Sequence, residues 1–514
     1  MKRVLNFLFK IIFSRTMIVI LMILAQLAVY LAAFSILRSY QPFFWELMNL
    51  FGGFLIIYII NRDEPTEFKL TWIIPICLFP VLGALIYMLV ICNTGGIGLK
   101  KRVRAEHAKM RQYFFTKPET IESLEKISPR VAGLSRFIET RSGYPTYTNS
   151  EGFYYPLGDD MLEDFLAALR GAQRFIFIEY FIIDRGFMWD AVLRILRQKV
   201  AEGVEVRVMY DGMCSVLNLP YHYPKTLQKM GIKAKMFAPI RPFLSTSQNN
   251  RDHRKIVVID GRVAFTGGVN IADEYINRKA VYGHWKDVAI KLKGDAVRSF
   301  TLMFLQLWNL YEAEEEKYDT YLDVSGEIIQ RAEGFVIPYG EEPVGMKEVA
   351  KTIYLNLISC ATRYVHIMTP YFVVDREFVD ALRFAAQRGV DVEIMLPHIP
   401  DKKIVFYIAR TFYTQLMEAG IKIYEYTPGF IHAKIFVVDD TKAVVGTVNL
   451  DYRSFYHHFE CGAYFYRTPV VQAVKDDFEK TRERCQLVTQ EYYKQIPVFQ
   501  KFLGQVFKVF GPLM

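Results

Sequence analysis

Uncharged stretches of this chain alternate with mixed segments, and their lengths divide it. Residues 17–37 run for 21 positions without a charge and residues 70–92 for 23. As a helix, either is long enough to cross the roughly 30 Å hydrocarbon core of a bilayer. Residues 43–60 are also apolar, though Glu46 and Asn49 interrupt them. The pattern predicts two transmembrane helices and a third, shorter candidate. No small-x-small site closely follows the first, unlike a cleaved signal peptide. Past Ser150 the rhythm becomes that of an α/β layer. Residues 160–170, 189–201, 297–318 and 377–388 read as helices, alternating with short β-branched runs such as FIFIEYFIID at 175–184. Such alternation predicts a mostly parallel, buried sheet.

The soluble part repeats itself. Residues 175–184 are echoed by VHIMTPYFVVD at 365–375, Gly203-Val204-Glu205-Val206 by Gly389-Val390-Asp391-Val392, and Met230-Gly231-Ile232-Lys233 by Ala419-Gly420-Ile421-Lys422. Within each repeat lies one spacing: His253-x-Lys255, Asp260, Gly267-Gly268, Asn270, and then His432-x-Lys434, Asp439, Gly446-Thr447, Asn449. On a strand, residues two apart face one side, so each His and Lys project together. Asp260-Gly261 is a hairpin signal between β-rich runs, which places the Asp at a turn and gives it a structural role within the motif. The returning strand brings Gly268 and Asn270 back towards His253; 439–442 is a longer turn in the second copy.

Two imidazoles, two ammonium groups, two amides and glycine N–H groups suit a phosphodiester. Fixed cations and donors surround its oxygens, one His attacks phosphorus, and the other moves the proton. Ammonium groups beside the imidazoles make a poor metal site. The formal charge of +9 on 514 residues, with apolar spans, points to anionic lipid rather than nucleic acid. Six scattered cysteines offer neither a disulfide framework nor a zinc site and suit a reducing compartment. Lys100, Lys101, Arg102, Arg104, Lys109 and Arg111 follow the last apolar stretch and favour a cytoplasmic catalytic part. Lys2, Arg3, Lys10 and Arg15 ask for the same side, so three full spans conflict. Either one segment is re-entrant or one end breaks the rule.

These motifs, with Gly267-Gly268-Val269-Asn270-Ile271-Ala272-Asp273-Glu274-Tyr275 and Asn449-Leu450-Asp451-Tyr452-Arg453-Ser454, resemble those of the phospholipase D superfamily. More narrowly, they resemble those of the bacterial cardiolipin synthases, as does the apolar entry Lys69-Leu70-Thr71-Trp72 through Tyr87. The resemblance implies two phospholipase D-like α/β/α repeats packed as a pseudo-twofold pair behind N-terminal transmembrane helices. The expected division is a membrane region at 1–95, a basic linker at 96–150, repeats at 151–325 and 326–497, and a C-terminal amphipathic helix at 498–514. It implies a multi-pass enzyme of the bacterial cell membrane that passes a phosphatidyl group between two phosphatidylglycerol molecules, releasing glycerol, with no cofactor or metal. A homo-oligomer is compatible with the sequence.

By the resemblance, His253, Lys255, Asp260, His432, Lys434 and Asp439 form the catalytic set, with His253 as nucleophile and His432 as acid and base. Asn270, Asn449, Gly268 and Thr447 bind substrate. A carboxylate orients each His: Glu460 lies at the superfamily's spacing from His432, and Asp287 substitutes in the first half, where Val281 holds that offset. Tyr371, Arg410 and Tyr413 line the lipid cleft or belong to the core; Asn250 and Arg251 touch the headgroup or cap a strand. The helix from Ile496 onward lies in the interface or packs on the catalytic part. A phospholipase D, a transferase using another alcohol, a nuclease and a silent lipid-binding protein are the alternatives.

Overall fold

The computed structural model describes residues 41–513, apart from 92–94, 215–217, 240–248, 311, 313–315, 323–328, 330–331 and 344–347. The expected span at 17–37 lies outside the described residues. The chain divides into two compact units, one formed by 1–96, 241–248 and 509–514 and the other by 97–240 and 249–508.

The described part of the first unit is helical: Gln41–Ile60, then Thr66–Leu78 and Pro80–Ile91. The expected single span at 70–92 is not formed. Phe79 adopts φ −139° and ψ 76° before Pro80, because proline cannot donate to the helical ladder and pushes its predecessor out of the helical region. The halves fold back on each other so closely that a Cβ on Gly83 would lie 2.7 Å from the Ile76 backbone. Trp72 meets Tyr87 edge-on at 5.5 Å, and Ile59 and Ile76 complete a small core. Among the described residues, no helix is both long and apolar enough to cross a membrane.

The second unit contains the duplication as two sheets. In the first lobe the strands are β1 (Ser150–Tyr155), β2 (Phe175–Tyr180), β3 (Glu205–Asp211), β4 (Lys233–Phe237), β5 (Lys255–Ile259), β6 (Val263–Gly267) and β7 (Ala289–Gly294). The second lobe has β8 (Phe335–Glu341), β9 (Tyr364–Met368), β10 (Asp391–Pro397), β11 (Lys422–Tyr426), β12 (Ile435–Val438), β13 (Lys442–Gly446), β14 (His458–Tyr466) and β15 (Cys485–Leu487). The strand orders, β1-β7-β6-β5-β2-β3-β4 and β8-β14-β13-β12-β9-β10-β11-β15, correspond one to one except for the added β15. Only β2-β3-β4 and β9-β10-β11 are parallel; the other neighbours are antiparallel, so the mostly parallel sheet is corrected to a mixed one. The cause is the hairpin in each motif, which reverses the chain where a crossover helix would have kept it parallel.

The expected helices form at Gly158–Gly171, Phe187–Ala201 and Arg376–Gln387, while the one expected over 297–318 ends at Asn309. This Val297–Asn309 helix is buried on nearly all sides, its polar Ser299, Thr301 and Gln306 included. Its residues share one core with the two sheets, with Phe304 stacked on Phe177 at 4.5 Å. The segment expected as a basic linker is folded instead: Val103, Met110 and Phe114 belong to that same core.

Two short parallel pairings stitch the lobes together. Arg251–Asp252 pairs with the start of β14, Arg251 opposite His458 and Asp252 opposite Phe459. Gly429–Ile431 pairs with His284–Lys286, Phe430 opposite Trp285 and Ile431 opposite Lys286. Each pairing immediately precedes a motif histidine on one chain and a carboxylate on the other.

Candidate active site

The seam fixes the histidines. The backbone N–H of His253 donates to the Phe459 carbonyl at 2.9 Å, and that of His432 to the Lys286 carbonyl at 2.7 Å. One residue further along each partner stands an acid. His253 Nδ1 lies 2.9 Å from both carboxylate oxygens of Glu460, and His432 Nδ1 lies 2.6 Å from Asp287 Oδ2. The orienting acids are therefore exchanged: each lobe's histidine is held by the other lobe's carboxylate. With both Nδ1 atoms so engaged, Nε2 is the free nitrogen of each ring.

The carboxylates are fixed in turn. Glu460 accepts from Ser454 Oγ at 2.7 Å and from Thr447 Oγ1. Asp287 has no hydroxyl at the position equivalent to Thr447, because Gly268 stands there. A Cβ on Gly268 would fall 1.9 Å from Asp287 Oδ1, so the glycine is required by the carboxylate's approach. The Gly268 N–H donates to the Val288 carbonyl at 2.9 Å.

Lys255 Nζ donates to the His253 carbonyl at 2.6 Å, and Lys434 Nζ to the His432 carbonyl while standing 2.7 Å from His432 Nδ1. All four side chains are buried. Burial, and then the lysine charges, hold His253 well below the ordinary imidazole range and His432 at about 4. The charges of Lys255, Lys434 and His432 all act on His253, so the two motifs meet in one electrostatic site. Burial also pushes the ammonium groups down, Lys255 to about 8 and Lys434 to about 7. It pushes Glu460 up, against the pull of Lys255 and the two hydroxyls. A buried site whose two ammonium groups form no ion pair among the described residues, and bond to backbone carbonyls instead, is built to receive an anion.

Asn270 and Asn449 are buried on either side. Asn270 donates to Tyr275 OH at 2.7 Å and accepts from the Ile182 N–H, and the Tyr275 ring meets His432 edge-on at 5.4 Å. Asn449 Oδ1 has no hydrogen-bond partner among the described residues. The motif aspartates stand apart from this site, as turn residues. Asp260, at φ +55°, accepts from the backbone N–H groups of Gln173, Arg174 and Phe175; Asp439, at φ +51°, accepts from those of Thr362, Arg363 and Tyr364. Each ties the motif hairpin to the start of the neighbouring strand. Their place in the catalytic set is corrected to that structural one.

Arg410 and Tyr413 are not in a lipid cleft: both bond to the buried Glu425. Tyr371 donates to Asp401 at 2.6 Å under the Lys402 ammonium. Arg251 is a strand residue bonded to the Ala238 carbonyl at 2.7 Å, and Asn250 is buried beside it. The helix Val498–Lys508 packs on the catalytic unit, since a Cβ on Gly504 would lie 2.4 Å from the Tyr407 carbonyl. Its other face leaves Val498, Phe499 and Phe502 exposed.

One residue of the site was not anticipated. His458 lies with its ring 5.3 Å from that of His253 and its Nδ1 3.6 Å from Glu460 Oε1. A signal for it was present, since residues two apart on a strand share a side and His458 stands two before Glu460. His253, His458 and Glu460 bring ligand atoms within 4.8 Å of one another, a set of the kind that holds a transition-metal ion. Lys255 and Lys434 oppose a second positive charge there. Similarly, in the cluster His366, Asp391 and Glu393, Lys422 already bonds both acids and Arg482 bonds Glu393.

Comparison with known proteins follows this geometry. A family profile described as "Cardiolipin synthase, PLD-like domain" matches residues 165–308 and 354–482, and one described as "Phospholipase D-nuclease N-terminal" matches 53–90. An uncharacterized protein of Streptococcus mutans is 45% identical over 89% of this chain and 99% of its own. The cardiolipin synthase of Alkalihalophilus pseudofirmus is 35% identical over 91% of this chain and 93% of its own, and that of Geobacillus kaustophilus 33% over 95% and 99%. Among solved structures, the phosphatidylserine synthase of Haemophilus influenzae shares the fold, with a TM-score of 0.56 at 15% identity, covering 75% of this chain and all of that one.

Proposed function

The chain belongs to the cardiolipin synthase family of PLD-like enzymes, and from that premise we propose that it joins two phosphatidylglycerol molecules into cardiolipin and glycerol through a phosphatidyl-histidine. The observation that carries the reading is the exchange of carboxylates, which leaves one Nε2 from each lobe for a single phosphorus. In the first step Nε2 of His253, neutral because of its burial, attacks phosphorus. The bond to the headgroup oxygen breaks as protonated His432 delivers its proton to that oxygen, and glycerol leaves. A hydroxyl of the second phosphatidylglycerol then gives its proton to His432 and attacks phosphorus, expelling His253. The negative phosphodiester, with Asp287, stabilises the imidazolium form of His432 that burial and the Lys434 charge disfavour. Lys255, Lys434 and the two asparagines hold the non-bridging oxygens, and no metal or nucleotide enters.

Lipid extracts of cells expressing the wild type or His253→Ala test this. Cardiolipin rises with the wild type alone; no rise, or an equal rise with the variant, rejects the synthase reading.

We further propose that the N-terminal helices hold the enzyme at the bilayer, with Thr66–Leu78 and Pro80–Ile91 as a re-entrant hairpin. At 13 and 12 residues, each helix reaches about 20 Å or less at 1.5 Å per residue, too short to cross. Leu70, Leu78, Phe79 and Leu85 point outward, as lipid contact requires. Asn61→Cys and Lys100→Cys should be labelled from the same side of the membrane; labelling from opposite sides contradicts the hairpin.

A further inference from the structure

His458 is 6% exposed, and neither ring nitrogen has a hydrogen-bond partner among the described residues. A buried polar group left unpaired costs stability and calls for an explanation. Its position supplies one. Glu460 Oε1 lies 3.6 Å from His458 Nδ1, too far for a hydrogen bond but the nearest acid to that nitrogen, while the same carboxylate is bonded to His253. Glu460 thus favours the Nδ1–H tautomer in both rings, so that each keeps its lone pair on Nε2. Burial, followed by the charges of Arg453, His457, Lys255 and Lys402, keeps His458 neutral. A neutral imidazole can accept a proton in a hydrogen bond, which the surrounding lysines cannot do.

The pseudo-twofold axis sharpens the contrast. Trp285 stands in the first lobe where His458 stands in the second, two residues before the exchanged acid, with its ring 5.9 Å from that of His432. Its indole N–H is also buried without a partner among the described residues. One flank of the site therefore offers a donor only, the other an acceptor. His458 Nε2 and the Trp285 indole N–H together suit a ligand that brings both a hydroxyl and an oxygen.

We propose that His458 is a specificity residue, accepting a hydrogen bond from a second hydroxyl of the acceptor headgroup and so selecting polyol headgroups over water. The proposal rests on the transfer reaction above. The attacking hydroxyl surrenders its proton to His432, and a neighbouring hydroxyl on the same glycerol unit needs an acceptor of its own. The second O–H of an attacking water starts from the reacting oxygen itself and does not extend to an acceptor placed for a neighbouring hydroxyl two carbons further on, so water gains less from the ring.

The test compares full-length wild type with His458→Phe, His458→Leu and His458→Asn in mixed micelles of phosphatidylglycerol, counting cardiolipin against phosphatidate, the product of water. The two apolar variants should lower the cardiolipin-to-phosphatidate ratio about tenfold, the loss of one buried hydrogen bond, with the fall lying in cardiolipin rather than in phosphatidate. His458→Asn, which keeps an acceptor oxygen, should recover most of the ratio. An unchanged ratio in an active apolar variant overturns the proposal, as does an equal fall of both products in a variant that circular dichroism shows to be folded. Wild type that makes no cardiolipin at all sinks the transfer reading instead.

Discussion

Gly268→Ala adds one methyl group and should nearly silence the enzyme. The added carbon would fall 1.9 Å from Asp287 Oδ1, 2.7 Å from its Cγ and 2.8 Å from its Oδ2. Ordinary contact needs about 3.4 Å, so the carboxylate must retreat by roughly 1 Å or more. Its 2.6 Å bond to His432 Nδ1 then lengthens beyond hydrogen-bonding distance. His432 loses its fixed tautomer and the charge that favours its protonated form, and a displacement of this size costs about 10²-fold in rate. The assay is kcat for cardiolipin formation from radiolabelled phosphatidylglycerol in micelles, alongside thermal unfolding followed by circular dichroism. Because both substitutions act through one carboxylate, Gly268→Ala added to Asp287→Ala should slow the enzyme no further. A Gly268→Ala enzyme of near wild-type rate, or a double variant whose losses multiply, refutes the reasoning.

Three other outcomes follow from the site. Glu460→Gln keeps the shape but removes the charge and admits the wrong tautomer of His253, so kcat should fall about 10²–10⁴-fold with KM little changed; a large rise in KM alone would point to binding instead. Asp260→Ala leaves three backbone donors at the start of β2 without their acceptor, which should lower stability by about 2–4 kcal/mol in denaturant titration while the folded fraction keeps kcat within about threefold; a stable but inactive variant would return Asp260 to the chemistry. The pH dependence comes from Lys434, whose pKa is lowered by burial to about 7. Below that value it is an ammonium ready for an anion; above it, binding must take up a proton. KM for phosphatidylglycerol should therefore climb as pH rises beyond about 7, approaching tenfold per unit, and a flat profile from pH 7 to 9 would contradict a buried lysine at the phosphate.

The repeat and its hairpins were legible because they depend on neighbours in sequence. Asp260-Gly261 takes positive φ at both positions, 55° and 69°, as the turn between β5 and β6 requires. The place of Asp260 at the turn followed from that signal, and that of Asp439 from its matching position in the repeat. What crosses the seam was not legible: Glu460 was measured from His432 but holds His253, since the pairing of 251–252 with β14 is a tertiary event with no local pattern. The sheet was misjudged for a related reason. Buried apolar strands look alike whether their neighbours run with them or against them, and only the hairpin at each motif carried the direction. Pro80 was visible throughout, yet hydropathy summed over 70–92 ignores one missing N–H and so overlooked the break that halves the span.

The seam between the lobes has a consequence for how such a protein can fail or evolve. Neither half owns a complete catalytic pair, so a fragment cut between them inherits an imidazole without its acid and an acid without its imidazole. Slippage at either two-stranded stitch releases one ring directly and strands the other without a partner in the reaction. Damage to one lobe is therefore never half a loss, and both copies of the duplicated sequence must be maintained together.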